Sequence, residues 1–336
     1  MINVTLYTRK DCHLCEQIKT DLEALQEDIP HRLVEVDIDD DPSLQSAFGE
    51  FIPVVEIGPY RLKAPITRQE LHMTLGAATD RRTQLVDIHG DAYHALVQRS
   101  QTVSKADRFS FWLSKHYLAV VSFVLFLYVG LPFLAPTLME AGIPGAARAI
   151  YIMYSPLCHQ FGFRSFFLFG EQPYYPLKEA GLTSVLDFES VTGITGLANP
   201  NGLARLQARA YIGNPVLGYK VALCERDIAI YASMLFFAIF FALSKRRLKP
   251  LHWIFWLLLG LGPIGLDGFS QLFSQFQWSW LVQYLPYRES TPFLRTMTGA
   301  FFGFFTAWYG IPYLEETMRE TRQLFIKKFA VSDAAN

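Results

Sequence analysis

Four long apolar segments in the second part of the chain constrain its fold most strongly. They cover approximately residues 117–139, 227–244, 251–269 and 294–314. A helix needs about 20 largely apolar residues to cross a bilayer, and helices satisfy their own backbone hydrogen bonds there. The composition agrees, because 51% of the residues are hydrophobic and only 18% are charged. The sequence predicts an all-α transmembrane bundle of about four spans over residues 117–315.

Clusters of basic residues predict the orientation of these spans. One cluster precedes the first span, Lys245-Arg246-Arg247 separates the second from the third, and another follows the last. Cytoplasmic loops carry an excess of Lys and Arg, and with four spans all three clusters lie on the same side. We therefore expect cytoplasmic N- and C-termini, with a cytosolic tail at residues 316–336.

A fifth apolar segment, residues 143–169, is interrupted by charged and polar residues, among them Arg148. If it also crossed the membrane, the cluster at Lys245 would face outward. We predict that this segment is re-entrant or lies at the outer interface. Residues 170–224 are then an extracytoplasmic loop.

The first 78 residues have a different pattern. Short β-rich runs alternate with helical segments in the order β-α-β-α-β-β-α, which contains a parallel β-α-β unit. In the first helix, Leu14, Ile18, Leu22 and Leu25 are spaced to share one face. A capping-box sequence starts the last helix, which we expect to end near residue 75. This pattern predicts a separate α/β domain.

The motif Cys12-His13-Leu14-Cys15 stands at the start of the first predicted helix. A thiol at a helix N-terminus faces free backbone N–H groups and the positive end of the dipole, which favours the reactive thiolate. We expect Cys12 to be the nucleophile and Cys15, one turn deeper, to be the resolving thiol, while Lys10 and His13 add positive charge. Two other interpretations stay open, half of a zinc site and a fold kept only as a binding module.

Three motifs of this domain together resemble those of the glutaredoxin-like members of the thioredoxin superfamily. They are Tyr7-Thr8 followed by Cys12-x-x-Cys15, Val36-Asp37-Ile38-Asp39, and Ile52-Pro53-Val54. The resemblance implies a thioredoxin-like fold and a cis peptide bond before Pro53, which would hold a substrate strand beside the sulfurs. It also implies Cys12 and Cys15 as the catalytic pair and Pro53 as a substrate-binding residue. From their charge and position we expect Lys10 and His13 to bind substrate as well.

Residues 79–116 are basic and roughly amphipathic. They predict a juxtamembrane linker close to anionic lipid headgroups, or alternatively an additional soluble helix of the first domain. No signal-peptide pattern precedes the first strand, so we expect the N-terminal domain to stay in the reducing cytosol. The net charge of −1 gives no indication of a nucleic-acid partner.

Polar residues of the membrane half are concentrated at the predicted outer ends of the spans. Charges at membrane depth usually face a cavity or each other. Asp267 lies in an apolar run without a local partner, and Arg226 or Arg295 is its natural candidate, whereas Arg288 and Glu289 alone fit interface anchoring. The predicted pocket comprises Cys158, His159, Arg164, Cys224, Arg226, Asp227, Asp267, Gln271 and Arg295.

Several separated motifs of this half, taken in order, resemble a widespread bacterial membrane-protein family of uncharacterised function. The resemblance implies a location in the bacterial inner membrane. Family members commonly carry C-x-R-C where this chain has Cys224-Glu225-Arg226-Asp227, and residues 171–222 are an insert. The motifs are Cys158-His159 with Arg164, Cys224-x-Arg226, Asp267-Gly268-x-x-Gln271, Arg288-Glu289-Ser290 and Arg295-x-x-Thr298-Gly299.

The residue types in the pocket allow several chemistries. Cys158, His159, Cys224 and Asp227 are N, S and O ligands that could bind zinc, with Asp267 as a nearby base. The two cysteines could instead form an extracytoplasmic redox pair or a structural disulfide. The sequence establishes no cofactor with certainty, and zinc in the membrane domain is the candidate.

These features predict a membrane-tethered thiol–disulfide oxidoreductase that uses the cytosolic Cys12–Cys15 pair. Its partners would be protein or low-molecular-weight thiols and disulfides, and membrane lipid. The alternative is an integral membrane metalloenzyme or transporter centred on the outer pocket. In that case the N-terminal domain would serve as a redox sensor or docking module.

Overall fold

The computed structural model describes residues 1–198, 202–276, 278–280 and 282–334. The chain divides into two compact units. One consists of Met1–Tyr117 together with the described residues from Glu316 onward, and the other of Leu118–Glu315. The segment that follows residue 315 is therefore not a free tail, because it packs as part of the first unit.

The first unit contains a four-stranded mixed sheet in the order β2-β1-β3-β4. Strands β1 and β2 are parallel, and β3 is antiparallel to both of its neighbours, β1 and β4. This arrangement confirms the predicted thioredoxin-like α/β fold. The elements are β1 Ile2–Thr8, α1 His13–Leu25, β2 His31–Asp37, α2 Pro42–Phe48, β3 Val54–Ile57 and β4 Tyr60–Lys63.

Helix α1 packs on this sheet through Cys15, Ile18, Leu22 and Leu25, which are all buried. The prediction that Leu14 shares this face is wrong, since Leu14 is 54% exposed. The spacing of 3.6 residues per turn places positions 14 and 15 at the two edges of the face formed by Ile18, Leu22 and Leu25, and the helix buries the edge that carries Cys15. Cys15 therefore packs in the core, while Leu14 is presented to solvent.

Helix α3, Arg68–Gln101, begins at the predicted capping box of Thr67 and Glu70. It does not end near residue 75 but extends through much of the predicted linker. Its N-terminal part buries Leu71 and Leu75, and Gly90 interrupts it with a left-handed φ of 49°. The linker residues 79–101 are therefore helical.

The second unit is mostly helical. Three of the described helices are long and apolar enough to span a membrane, Lys105–Glu140, Glu225–Leu243 and Trp253–Gln275. They correspond to the first three predicted spans. The predicted fourth span lies inside the longest helix and does not meet the same criterion, because glycines, threonines and Arg295 lower its hydropathy. The helices are α4 Lys105–Glu140, α5 Pro144–Tyr154, α6 Phe188–Thr192, α7 Ala204–Ala210, α8 Glu225–Leu243, α9 Trp253–Phe255 continuing through a π-helical segment Trp256–Leu261 into α10 Gly262–Gln275, and α11 Pro292–Asp333.

Helices α8 and α11 pack closely through two glycines. A Cβ at Gly299 would lie 2.7 Å from the backbone oxygen of Arg226, and one at Gly303 would overlap the backbone oxygen of Ile230. Gly299 and Gly303 form a G-x-x-x-G sequence, which lets two helix backbones approach in a membrane. This contact fixes α11 against the second candidate span.

The prediction that the membrane half is entirely helical is wrong in one region. A three-stranded antiparallel sheet, ordered β5-β7-β6, forms from Ser165–Leu168 (β5), Gly213–Asn214 (β6) and Gly218–Cys224 (β7). The one α-helix within residues 143–169 is α5, which has 11 residues. It is about 16 Å long and too short to cross a bilayer.

In the segment predicted as an extracytoplasmic loop, the described residues, 170–198 and 202–224, are folded. The buried residues of this segment form a separate hydrophobic core with β5, built on Phe163, Phe167, Tyr175 and Phe188. Gly162 allows this packing, because a Cβ there would overlap the ring of Phe188. The Gly and Pro content that suggests a loop instead supports tight turns around an aromatic core.

Candidate functional site

Cys12 and Cys15 form a disulfide at the N-terminus of α1. Cys12 is the N-cap residue, and its sulfur accepts a hydrogen bond from the backbone N–H of Cys15 over 3.3 Å. Cys12 is partly exposed, whereas Cys15 is only 2% exposed. The geometry therefore offers one sulfur to a partner and keeps the other inside.

The predicted basic neighbours of this pair are both at the surface. Lys10 and His13 are exposed on either side of Cys12. Arg9 is turned to Asp39, with 3.1 Å between its Nε and the carboxylate. Lys10 and His13 are thus the side chains available to a partner at this end of the sheet.

The peptide bond between Ile52 and Pro53 is cis, as the resemblance implies. Pro53 is buried, and its carbonyl oxygen accepts a hydrogen bond from the N–H of Ala64 over 3.1 Å. In the sheet register Val54 lies opposite Tyr7. Pro53 therefore lies beside the C-terminal end of β1, from which the chain continues to Cys12.

Glu56 is a buried carboxylate of the same sheet that the sequence did not indicate. It accepts hydrogen bonds from Tyr7 Oη over 3.3 Å, Arg61 Nε over 2.7 Å and Lys327 Nζ over 2.5 Å. Burial alone would raise the pKa of Glu56. The hydrogen bonds and positive charges of Lys327 and Arg61 together have the larger effect, so the pKa of Glu56 is lowered. Burial and Glu56 together raise the pKa of Tyr7. This group ties the C-terminal helix to the sheet.

Two buried carboxylates organise the polar residues of the second unit. Asp267 is 4% exposed. It binds Arg226 Nη2 over 2.5 Å, Arg288 Nη2 over 2.9 Å and Ser290 Oγ over 2.8 Å. Of the two partners predicted for Asp267, Arg226 is present and Arg295 is not.

Glu289 is the second of these carboxylates. It accepts hydrogen bonds from Arg164 Nε over 2.6 Å and Gln271 Nε2 over 2.8 Å, and it also pairs with Arg295. Burial alone would raise its pKa. The positive charges of Arg164 and Arg295 and their hydrogen bonds together have the larger effect, so the pKa of Glu289 is lowered. The interpretation of Arg288 and Glu289 as interface anchors is wrong, because each pairs inside the network.

Glu225 is buried beside this network without a completed hydrogen bond. Its nearest cation is Arg295, whose Nη1 lies 3.6 Å from its Oε2. Within the described part of the chain neither oxygen of Glu225 has a hydrogen-bond partner, and the same holds for Arg295 Nη1 and Arg226 Nε. These atoms form a polar interior in which donors and acceptors remain unmatched.

Three of the four residues predicted as metal ligands converge. Single ligand atoms of Cys158, Cys224 and Asp227 all lie within 4.8 Å of one another, and both cysteines are free thiols. His159 does not join them, because it is exposed and stacks on Phe161 with 5.5 Å between ring centroids. A hydrogen bond from the Cys224 thiol lowers the pKa of Cys158 and raises that of Cys224.

A buried Lys and a buried Gln fix the segment that carries Cys158. Gln160 donates its amide to the carbonyl oxygens of Tyr151 over 2.9 Å and Ala222 over 3.0 Å. Lys220 Nζ donates to the carbonyl oxygen of Gln160 over 2.8 Å, and burial lowers the pKa of Lys220 to about 7. The sequence prediction did not include Lys220. A single Lys within the apolar run of β7 does, however, indicate a buried cation.

Comparisons with known families identify both parts of the chain. Residues 3–76 match the family described as a glutaredoxin-like domain (DUF836). Residues 215–309 match the family described as a predicted membrane protein (DUF2085). The chain therefore carries a glutaredoxin-like domain at its N-terminus and a domain of this membrane-protein family in its C-terminal half.

Two individual proteins are also similar to parts of the chain. An uncharacterised protein of Methanocaldococcus jannaschii is 25% identical over 212 residues, which is 61% of this chain and 96% of that protein. A structural-genomics target protein from X. campestris, solved by X-ray crystallography, is 39% identical. That match covers 22% of this chain and 96% of the other, with a TM-score of 0.19.

Proposed function

We propose that this protein is a membrane-tethered thiol–disulfide oxidoreductase that acts through Cys12 and Cys15. The observation that carries the proposal is the disulfide at the N-terminus of α1, with Cys12 partly exposed and Cys15 buried. Such a position favours the thiolate of the outer cysteine. The glutaredoxin-like match over residues 3–76 supports the same chemistry.

The reaction proceeds by two exchanges. The Cys12 thiolate attacks a substrate disulfide, forms a mixed disulfide and releases one substrate thiolate. The Cys15 thiolate then attacks the Cys12 sulfur, which releases the second substrate thiol and closes the Cys12–Cys15 disulfide. Two electrons have passed to the substrate, and a cytosolic thiol or dithiol reductant returns them to the pair.

The neighbours of the pair supply the substrate contacts in this proposal. Pro53 holds the backbone of the partner beside the sulfurs, as the resemblance to glutaredoxins implies. Lys10 and His13, both exposed near Cys12, favour partners with negative charge. Protein disulfides and low-molecular-weight disulfides remain equally compatible substrates.

We also propose that both termini lie in the cytoplasm of a bacterial cell, with the chain in the inner membrane. Within the first unit, Gln323 Nε2 donates to the carbonyl oxygen of Ser43 over 2.9 Å, and Lys327 binds Glu56. Because the two ends of the chain pack together, the number of crossings between them must be even. Three candidate spans and the apolar part of α11 make four.

The basic turn after α8 supports the same topology. Arg246 Nη1 lies 3.2 Å from Glu315 Oε2, and residue 316 begins the C-terminal part of the first unit. The turn is therefore at the cytoplasmic end of the spans, in line with the positive-inside rule. Helix α8 has 19 residues and is about 28 Å long, so Cys224 at its other end lies at the outer face.

An assay of the full-length protein in detergent tests the oxidoreductase proposal. The rate of reduction of a small dialkyl disulfide, with a thiol reductant in excess, should exceed the uncatalysed background. Cys12→Ser should return the rate to that background, because it removes the nucleophile. The matched control, Cys158→Ser, should leave the rate unchanged, since that thiol belongs to the other unit. Equal rates for the wild type and Cys12→Ser would reject the proposal.

The alternative, a membrane metalloenzyme or transporter served by a redox sensor, is favoured by the convergence of Cys158, Cys224 and Asp227. It makes a different prediction for the same assay. A sensor pair would be oxidised and reduced once but would not turn over a disulfide substrate. Stoichiometric oxidation of Cys12 and Cys15 without turnover would support this alternative.

A further inference from the structure

We propose that Cys158, Cys224 and Asp227 bind one Zn²⁺ ion in the second unit. This site is separate from the Cys12–Cys15 pair and does not depend on the proposed oxidoreductase activity. The three residues come from two distant parts of the sequence, and the fold brings their ligand atoms within 4.8 Å of one another. Two sulfurs and one carboxylate oxygen are ligands that zinc accepts.

The observed separations are close to those that zinc requires. With Zn–S bonds of about 2.3 Å and Zn–O bonds of about 2.0–2.2 Å, tetrahedral geometry places ligand atoms roughly 3.5–3.8 Å apart. The ligand atoms therefore need to move closer by at most about 1.3 Å, which rotation of the side-chain torsions supplies. Binding displaces both thiol protons to solvent, since zinc takes the thiolates.

Backbone N–H groups already point at both sulfurs. The N–H of Gln160 lies 3.5 Å from Cys158 Sγ, and the N–H of Asp227 lies 3.5 Å from Cys224 Sγ. Cys224 is also the N-cap of α8, where the helix dipole favours negative charge. These groups offset the negative charge that two thiolates and a carboxylate bring to one ion.

Buried hydrogen bonds hold the segment that carries Cys158 in one conformation. Gln160 adopts a left-handed φ of 53°, which costs a non-glycine residue free energy unless its surroundings hold it. Its buried amide and Lys220 join this segment to β7, the strand that ends at Cys224. Such fixed support keeps the ligands in place before the ion arrives.

Three protein ligands leave one tetrahedral position open. Closed structural zinc sites usually have four protein ligands, whereas catalytic sites have three and a water or substrate. Tyr128, which carries a phenol, packs against the cluster of buried residues that contains Cys158. The same cluster therefore includes a hydrogen-bonding group, which suits an exchangeable fourth ligand.

Cobalt titration of the full-length protein in detergent tests the site. The Cys12→Ser/Cys15→Ser double variant serves as the background, because it removes the only other paired thiols. We expect one Co²⁺ per chain with a thiolate-to-cobalt charge-transfer absorption, and displacement of Co²⁺ by added Zn²⁺. In this background Cys158→Ser and Cys224→Ser should each abolish that absorption.

Two further variants separate a ligand from a neighbour. Asp227→Asn keeps the shape of the side chain and should weaken Co²⁺ binding at least about 10-fold, since it removes an anionic ligand. His159→Ala, which changes the exposed residue beside Cys158, should leave binding unchanged, and circular dichroism confirms that each variant is folded. The proposal is overturned if the folded background protein binds no Co²⁺. It is also overturned if His159→Ala abolishes the absorption, or if mass spectrometry finds Cys158 joined to Cys224 as a disulfide.

Discussion

At the scale of single residues, the second unit depends on buried charges that are nearly all paired. Asp267 and Glu289 each receive three partners, mostly arginines. Removing one member of a buried pair leaves the others charged and desolvated, which costs more than the pair itself contributes. The acidic residues of this network should therefore be sensitive to isosteric neutralisation.

Asp267→Asn tests this expectation. The change leaves Arg226 and Arg288 without their shared carboxylate, and we expect it to lower the free energy of unfolding by about 3 kcal/mol. Thermal unfolding in detergent measures the loss. Glu140→Gln, at the exposed end of α4, is the matched control and should leave the melting temperature unchanged. An unaltered melting temperature for Asp267→Asn would contradict the role assigned to Asp267.

The pH dependence of the first unit should follow Glu56. Its pKa is lower in the folded state, so the stability it contributes is complete above its unfolded pKa of about 4.3 and is lost as the pH falls through the folded value. Lys327→Gln should lower the melting temperature at pH 7, and the difference from wild type should shrink on acidification below about pH 4. Arg68→Gln, which removes an exposed positive charge, should keep the wild-type profile. A constant difference between Lys327→Gln and wild type at all pH values would refute this linkage.

The spacing of residues along the chain predicted the surroundings of a single residue well only where one helix or strand determines those surroundings. The position of Cys12 follows from the helix that begins next to it, whereas the burial of Cys15 rather than Leu14 depends on how that helix packs on its neighbours. Arg288 pairs with Asp267, which lies in α10. Glu289 pairs with Arg164 and Gln271, which also come from other segments. No one-dimensional pattern contains those contacts.

At the scale of elements, the contact between α8 and α11 rests on the absence of side chains at two positions. Gly299 and Gly303 let the backbones approach until Arg226 and Ile230 occupy the space of a Cβ. This contact also brings the N-terminal part of α11, with Arg295, beside Glu225. The buried network therefore depends on these glycines as well as on its charges.

Gly303→Ala should destabilise the second unit by about 1–3 kcal/mol, because its new methyl group overlaps the backbone of α8. Gly310→Ala is a matched control in the same helix, since a Cβ there meets nothing within 4 Å. The control should be neutral or stabilising by up to about 1 kcal/mol through helix propensity. Thermal unfolding of the two variants side by side makes the comparison. Equal melting temperatures would show that the close approach contributes nothing.

The elements that sequence patterns predicted correctly are those with a strong local period. The succession of strands and helices in the first unit and three of the spans belong to this class. Residues 170–224 do not, because their aromatic core forms between short segments that each lack a period of their own. The length of α3 was also not predicted. Its second half is polar, and such a composition is also typical of a linker.

At the scale of the whole molecule, the proposed topology rests on two observations. The C-terminal helix returns to the first unit, and the basic turn at Arg246 pairs with Glu315. The proposal puts the basic residues on the cytoplasmic side and Cys224 on the other, as the charge pattern of the sequence predicts.

Reporter fusions test this topology. A C-terminal fluorescent protein and an N-terminal one should both fluoresce as cytoplasmic fusions, whereas a periplasmically active phosphatase should be active only when inserted near residue 182. We expect this result because the crossings between the two ends of the chain are even in number. Phosphatase activity at the C-terminus would require an odd number of crossings and would contradict the account.

The most direct test of the oxidoreductase is the capture of its mixed disulfide in cells. Cys15→Ser leaves Cys12 able to attack a substrate but removes the thiol that resolves the intermediate. After rapid blocking of free thiols, non-reducing electrophoresis should show adducts of Cys15→Ser that disappear on reduction and are absent from the Cys12→Ser/Cys15→Ser variant. Adducts that persist without Cys12, or no adducts at all from the folded Cys15→Ser protein, would contradict the assignment of Cys12 as the nucleophile.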